Sequence, residues 1–150
     1  MCIRDSHRAA RGRMPAFVDT GLNFVHVDDV AEGHVAAMER GRIGERYILG
    51  GENVALSDLL AEIARLVGRK PPRLRLPHAL VYPIALGAES IARFTGREPL
   101  ATRTGLSMSK NYMYYSDEKA RCELGYVSRS WRCGAADAVD WFRQAGYLKR

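Results

Sequence analysis

Long apolar runs are missing from this 150-residue chain. The longest, Ala79 to Ala88, is broken by Pro83 and stops at Glu89. A membrane-spanning helix needs about 20 such residues, so none is expected. Met1 is followed by Arg4, Asp5, His7 and Arg8 rather than an apolar stretch, so no signal peptide is expected either. Cysteine is scarce: Cys2, Cys122 and Cys133 make an odd set without C-x-x-C spacing. That excludes a disulfide framework and a zinc ribbon, and makes a reducing cytoplasm the expected compartment. His7, His26, His34 and His78 form no H-E-x-x-H pair, so structural roles are expected and no metal site. Lysine supplies only four of the 23 basic residues, arginine the rest. The net charge is +6, yet the one dense basic cluster is Arg8, Arg11 and Arg13, and elsewhere arginines alternate with acids. A nucleic-acid partner is not expected from such a distribution.

Phosphate-binding loops are absent as well. Neither G-x-G-x-x-G, G-x-x-G-x-x-G nor G-x-x-x-x-G-K-[ST] occurs. Gly50-Gly51 follows an apolar segment, but Glu52 puts a negative charge where a pyrophosphate would sit, so a plain turn is expected. No G-x-S-x-G elbow is present. What remains is an ordinary globular composition, 47% hydrophobic and 27% charged. A chain of this length buries about 68–70% of its unfolded surface, enough for one core.

Residues 1–13 carry no apolar periodicity and are expected to form a disordered or foreign tail; Met1 to Ser6 resembles a translated sequencing-adapter stub. Residues 14–150 then form the one folded region. L-N-F-V-H-V at 22–27 reads as a strand. Asp28 and Asp29 offer cap oxygens to a helix with Val30, His34, Val35 and Met38 on its apolar face and Gly41 at its end. R-Y-I-L at 46–49 reads as a second strand. Leu56, Leu59, Leu60, Ile63, Leu66 and Val67 recur in steps of three and four and predict an amphipathic helix, capped by Ser57 and ended by Gly68. R-L-R-L at 73–76 alternates as a short strand. A long helix is expected over 78–95, a short one over 117–124 closed by Gly125, and a last one capped by Ser130 with Ala135, Ala138, Val139 and Phe142 inward. Strands alternating with helices indicate an α/β fold.

Two local patterns invite a catalytic reading. Tyr115-Ser-Asp-Glu-Lys119 spells Y-x-x-x-K, in which a lysine one turn away lowers a tyrosine pKa for acid–base work. Asp117 looks like an N-cap, which leaves Tyr115 outside the helix and packed beneath it, so catalysis is not expected there. Asp28-Asp29 is a carboxylate pair at a strand-to-helix turn, where capping is the simpler role. Cys122 is placed on a packed helix face with no histidine nearby in sequence.

Three segments carry a family resemblance. Phe24-Val-His-Val-Asp-Asp-Val-Ala-Glu-Gly-His34, Tyr47-Ile-Leu-Gly-Gly-Glu-Asn53 and Lys119-Ala-Arg-Cys-Glu-Leu-Gly-Tyr126 resemble, in order and spacing, the late elements of extended short-chain dehydrogenase/reductases, the NAD-dependent epimerase/dehydratase family. The stretches 14–23, 75–80 and 86–89 are most similar to the hopanoid-associated sugar epimerase group, itself similar to dihydroflavonol reductases. The resemblance implies the C-terminal, substrate-binding part of an extended Rossmann-type protein without its dinucleotide-binding part. It implies a parent that uses NAD or NADP, acts on a small-molecule substrate and forms a homodimer. It also implies that this chain alone binds no cofactor, holds no catalytic residue and is inactive. Asn23, Phe24, Arg103 and Lys110 are the expected substrate-binding residues. Nucleotide-sugar epimerases carry an arginine where this chain has Leu22, and a second one before the late helix, where Gly105 to Ser109 supplies none. Pyrophosphate favours such bidentate contacts, so a less charged substrate is expected. The late tyrosine is followed by Val127-Ser128 where the family usually has a proline. The alternative is a free-standing binding module, which predicts a self-sufficient core. A missing half instead predicts exposed apolar surface along residues 24–27 and around Tyr112 to Tyr115.

Overall fold

The computed structural model describes residues 16–72, 74–77 and 107–148. In chain order the elements are β1 (Ala16–Val18), β2 (Gly21–Phe24), α1 (Val27–Arg40), β3 (Glu52–Ala55), α2 (Leu56–Leu66), β4 (Leu74–Leu76), α3 (Glu118–Leu124) and α4 (Trp131–Gln144). Among the described residues the strands form two separate pairs. β1 runs parallel to β4, with Phe17 opposite Arg75. β2 runs antiparallel to β3, with Leu22 opposite Val54 and Asn23 opposite Asn53.

The core follows from two amphipathic helices. Leu59, Leu60 and Ile63 of α2 pack with Trp131, Ala135 and Val139 of α4, and Phe17 and Val54 close the cluster from the strands. Each fully buried leucine here contributes roughly 1.5–3 kcal/mol relative to exposure. The α2 stripe is thus as the sequence predicts, with Leu56, Leu66 and Val67 packed at its edge. A second cluster joins Ala36 of α1 to Ala120 and Leu124 of α3 and to Tyr126, with Tyr47 and Leu49 against it. α3 ends where expected. Gly125 takes φ +66°, a left-handed conformation costly for other residues, and its N–H donates to the carbonyls of Ala120 and Arg121.

Several expectations are corrected. The strand expected over 22–27 stops at Phe24, because His26 is itself the N-cap of α1, its Nδ1 accepting the Asp28 N–H at 3.1 Å. The inward face of α1 is Asp29, Gly33 and Ala36, not Val30, His34, Val35 and Met38. Small residues win that face because Leu49 and Tyr126 press against Gly33: a Cβ there would lie 2.8 Å from Leu49 Cδ2. Residues 46–49 form no ladder, since no described strand lies beside them; Tyr47 and Leu49 pack on the second cluster instead. The N-cap of α2 is Ala55, and Ser57 lies inside the first turn. Ser130 caps α4 by position without a side-chain hydrogen bond. Ala138 is exposed, and so is Cys122. The helix expected over 78–95 lies outside the described residues.

Candidate functional site

The β2–β3 ladder has two unlike faces, because side chains alternate along a strand. Leu22, Phe24 and Val54 belong to the core side. Gly21, Asn23, Asn53 and Ala55 share the other side by register. That second face is covered by residues 112–115. Met113 N donates to Gly21 O at 2.9 Å, and a parallel bridge joins Leu22 to Met113.

Two amides fasten the covering segment. Asn23 Oδ1 accepts Gly51 N–H at 2.8 Å, and Asn23 Nδ2 donates to Gly51 O at 3.0 Å and to Asn53 Oδ1 at 2.8 Å. Asn53 in turn accepts Tyr115 N–H at 3.1 Å and donates to Tyr115 O at 3.2 Å. Tyr112 and Tyr114 then stand over Gly21, their rings edge to face at 5.3 Å. A Cβ at position 21 would lie 2.4 Å from Tyr114 Cε1 and 2.6 Å from Tyr112 Cδ1, so a side chain there would displace the two rings.

Of the residues expected to bind substrate, Asn23 has its amide committed to this scaffold. Phe24 is half-buried and faces α4, where a Cβ at Gly134 would lie 3.1 Å from its Cε1. Lys110 is exposed at the end of a helical turn over 107–109. Arg103 lies outside the described residues.

The Y-x-x-x-K pattern does not assemble. Tyr115 precedes the N-cap Asp117 by two residues and is exposed rather than packed under α3. Lys119 turns to Glu45, at 2.5 Å, and lies over the Tyr47 ring.

Sequence reasoning missed a charged clamp between α1 and the residues before α4. Asp29 is 2% exposed, and its carboxylate accepts Arg129 N at 2.8 Å and Arg129 Nε at 2.6 Å. It is an anchor between α1 and the approach to α4, not a cap. Its one sequence signal was its place at i, i+4, i+7 with Gly33 and Ala36. Next to it, His26 Nε2 meets Asp137 Oδ2 at 2.9 Å. Since Nδ1 accepts a backbone N–H, the fitting tautomer carries its proton on Nε2 and donates to Asp137. Partners 111 and 100 residues apart leave no trace in local spacing.

A second charged network holds residues 42–47 on α3. Glu123 accepts from Tyr47 Oη at 2.8 Å and pairs with Arg42. Those bonds, Tyr47 first, hold the Glu123 carboxyl below its ordinary range, and the Lys119 hydrogen bond does the same for Glu45. The buried Tyr126 phenol is pushed upward, first by burial and then by the Asp29 charge.

The turn at Gly50-Gly51 does not fit a dinucleotide. Both backbone groups of Gly51 are taken by Asn23, and Glu52 Oε1 accepts the Trp131 N–H at 3.3 Å. Among the described residues, no group of three His, Cys, Asp or Glu side chains is placed to hold a metal. No helix among them is long and apolar enough to cross a membrane.

No family model matches the chain. It is similar to a dihydroflavonol 4-reductase-like protein of Synechocystis sp., with 41% identity over 146 residues, 95% of this chain and 43% of that protein. The human short-chain dehydrogenase/reductase family 42E member 1 is 31% identical over 138 residues, 84% of this chain and 35% of that protein. Among solved structures, gox2253 matches with 52% identity and a TM-score of 0.78, over 98% of this chain and 44% of that one. A nucleoside-diphosphate-sugar epimerase from Pseudomonas aeruginosa, PA4631, matches with 29% identity and a TM-score of 0.76, over 97% and 43%. The chain thus spans less than half the length of the relatives it matches. These matches bear out the expected α/β class and the resemblance to dihydroflavonol reductase-like and epimerase proteins.

Proposed function

The chain is homologous to short-chain dehydrogenase/reductases of the dihydroflavonol reductase-like and sugar-epimerase type, and from that relationship we propose that it is the substrate-binding portion of an NAD(P)-dependent reductase or epimerase. The parent moves a hydride between nicotinamide and a substrate carbon bearing a hydroxyl. The cofactor loop and the acid–base tyrosine belong to the portion of its relatives that this chain does not span. A cytoplasmic, homodimeric parent goes with this reading.

The observation that carries it is the outer side of α1. Val27, Val35 and Met38 lie along one stripe and are 73%, 52% and 80% exposed. Beside that helix run residues 46–49, a β-rich sequence without a ladder. A helix with an exposed apolar stripe next to an unpaired strand sequence fits a layer that packs under a larger parallel sheet.

The test is direct. The 150-residue chain is assayed with NADH or NADPH and a panel of ketones, alone and as part of the longer open reading frame. Turnover only in the longer protein is expected. Turnover by the chain alone refutes the proposal. The second reading, a free-standing module, is favoured by the closed core between α2 and α4. It predicts a cooperative monomeric melt without binding of a hydrophobic dye.

A further inference from the structure

We infer that His26 is a proton-operated switch at the start of α1, in which one ring nitrogen exchanges a backbone donor for a carboxylate acceptor of the same residue. The inference stands apart from the hydride-transfer reading and needs no substrate.

The ring is held from two sides. It is 9% exposed, and α4 packs directly on it: a Cβ on Gly134 would lie 3.4 Å from His26 Cδ2. Nε2 meets Asp137 Oδ2 of α4 at 2.9 Å, an acceptor that suits the neutral and the charged ring alike. Nδ1 faces Asp28, which offers it two opposite partners. The Asp28 N–H stands 3.1 Å from Nδ1, and Asp28 Oδ2 stands 3.6 Å from it.

The two partners exclude each other. A neutral ring with its proton on Nε2 keeps a lone pair on Nδ1, so it accepts the N–H and caps α1. A charged ring carries a proton on both nitrogens, so Nδ1 can only donate. The Asp28 N–H then loses its ring acceptor, and Oδ2 of the same residue becomes the partner of Nδ1. The added proton comes from water and rests on Nδ1. Histidine is the side chain suited to this change between about pH 5 and 8.

The charged groups around the ring are Asp28 of α1 and Asp137 of α4. Beside them Asp29 is paired with Arg129, whose Nη1 is 3.8 Å from Asp28 Oδ2. Glu52, opposite Phe24 on β3, is engaged by the Trp131 N–H. Because Asp137 accepts from Nε2 in both states, the proton alters the first turn of α1 and leaves the contact with α4 in place.

The test follows single backbone amides of the 150-residue chain by solvent-exchange NMR at pH 8 and pH 5, corrected for the intrinsic effect of pH. The Asp28 N–H is expected to exchange about fivefold faster at pH 5, the loss of one capping bond. The Val30 N–H donates to the His26 carbonyl at 3.2 Å, a bond indifferent to the ring, and should stay within about twofold. His26→Asn supplies a capping oxygen that takes up no proton, and it leaves His34 of α1 untouched. In that variant the acceleration at Asp28 should vanish. An Asp28 rate that does not respond in the unmodified chain, the same acceleration in His26→Asn, or an equal acceleration at Val30 overturns the proposal. Should His26→Asn misfold, the ring nitrogen spectrum of the unmodified chain at pH 8 decides. A bare Nδ1 with the proton on Nε2 supports the switch, and a proton on Nδ1 overturns it.

Discussion

Replacing Asp29 by alanine should be one of the costly polar changes outside the α2–α4 core. The carboxylate is 2% exposed and holds two charge-assisted or backbone bonds from Arg129. Hydrogen bonds to a charged group contribute roughly 1.5–3 kcal/mol each, and a buried N–H left without a partner costs about 1–3 kcal/mol. The Arg129 guanidinium lowers the total, because its side chain is 39% exposed and regains water once released. The Arg129 N–H, by contrast, is left facing an emptied site. The balance is a loss of roughly 2–4 kcal/mol, near the low end of what breaking a buried pair costs. Neighbouring Asp28 is the internal control. It is exposed, 3.8 Å from Arg129 Nη1, and its alanine variant should lose less than about 1 kcal/mol. Urea unfolding followed by circular dichroism measures both, the midpoint falling with an unchanged slope. Asp29→Asn keeps one acceptor for the Arg129 N–H and should fall between the two. Equal midpoints for Asp28→Ala and Asp29→Ala would show that the clamp does not hold α1 to the start of α4.

Other perturbations test other parts of the molecule. Leu59→Ala empties a site with no exposure and should cost about 2–5 kcal/mol by the same unfolding assay. Gly125→Ala places a side chain at φ +66° and should cost about 1–2 kcal/mol, seen as a lower melting temperature with unchanged helix content. Glu45 and Glu123 are held below their ordinary value of 4.5, so the stability they confer is complete above that pH and is lost as pH falls through their folded values. Melting temperatures recorded from neutral to acid pH should drop, and the drop should be shallower in a Glu45→Gln, Glu123→Gln variant.

What the sequence reveals depends on how far apart the interacting residues lie. The α2 stripe is legible because Leu59, Leu60 and Ile63 contact their partners through a periodicity of their own. The end of α3 is legible because Gly125 announces a left-handed turn. α1 misleads for a physical reason. Its large apolar residues face outward, and Gly33 and Ala36 face inward to let Leu49 and Tyr126 approach. A pattern rule reads bulk and takes the wrong side. The R-Y-I-L stretch has strand-forming residues, but a strand is a property of two segments, and no described strand pairs with it. Of the site, Asn23 could be singled out, yet its amide serves the scaffold. The Asp29–Arg129 clamp and the seating of two tyrosines on Gly21 depend on contacts across 90 residues or more, which local spacing cannot record.

The two asparagines weld three distant stretches of polypeptide at one spot. Extra residues spliced into the bend at Gly68 to Lys70 would lengthen an exposed connection, and doubling a loop adds only about 0.6 kcal/mol of closure entropy. One extra residue between Met113 and Asp117 would instead shift each amide off its carbonyl and turn the phenols away from the strand. Length variation among relatives should therefore gather at the bend and spare those five positions, which act as a gauge block for everything mounted on them.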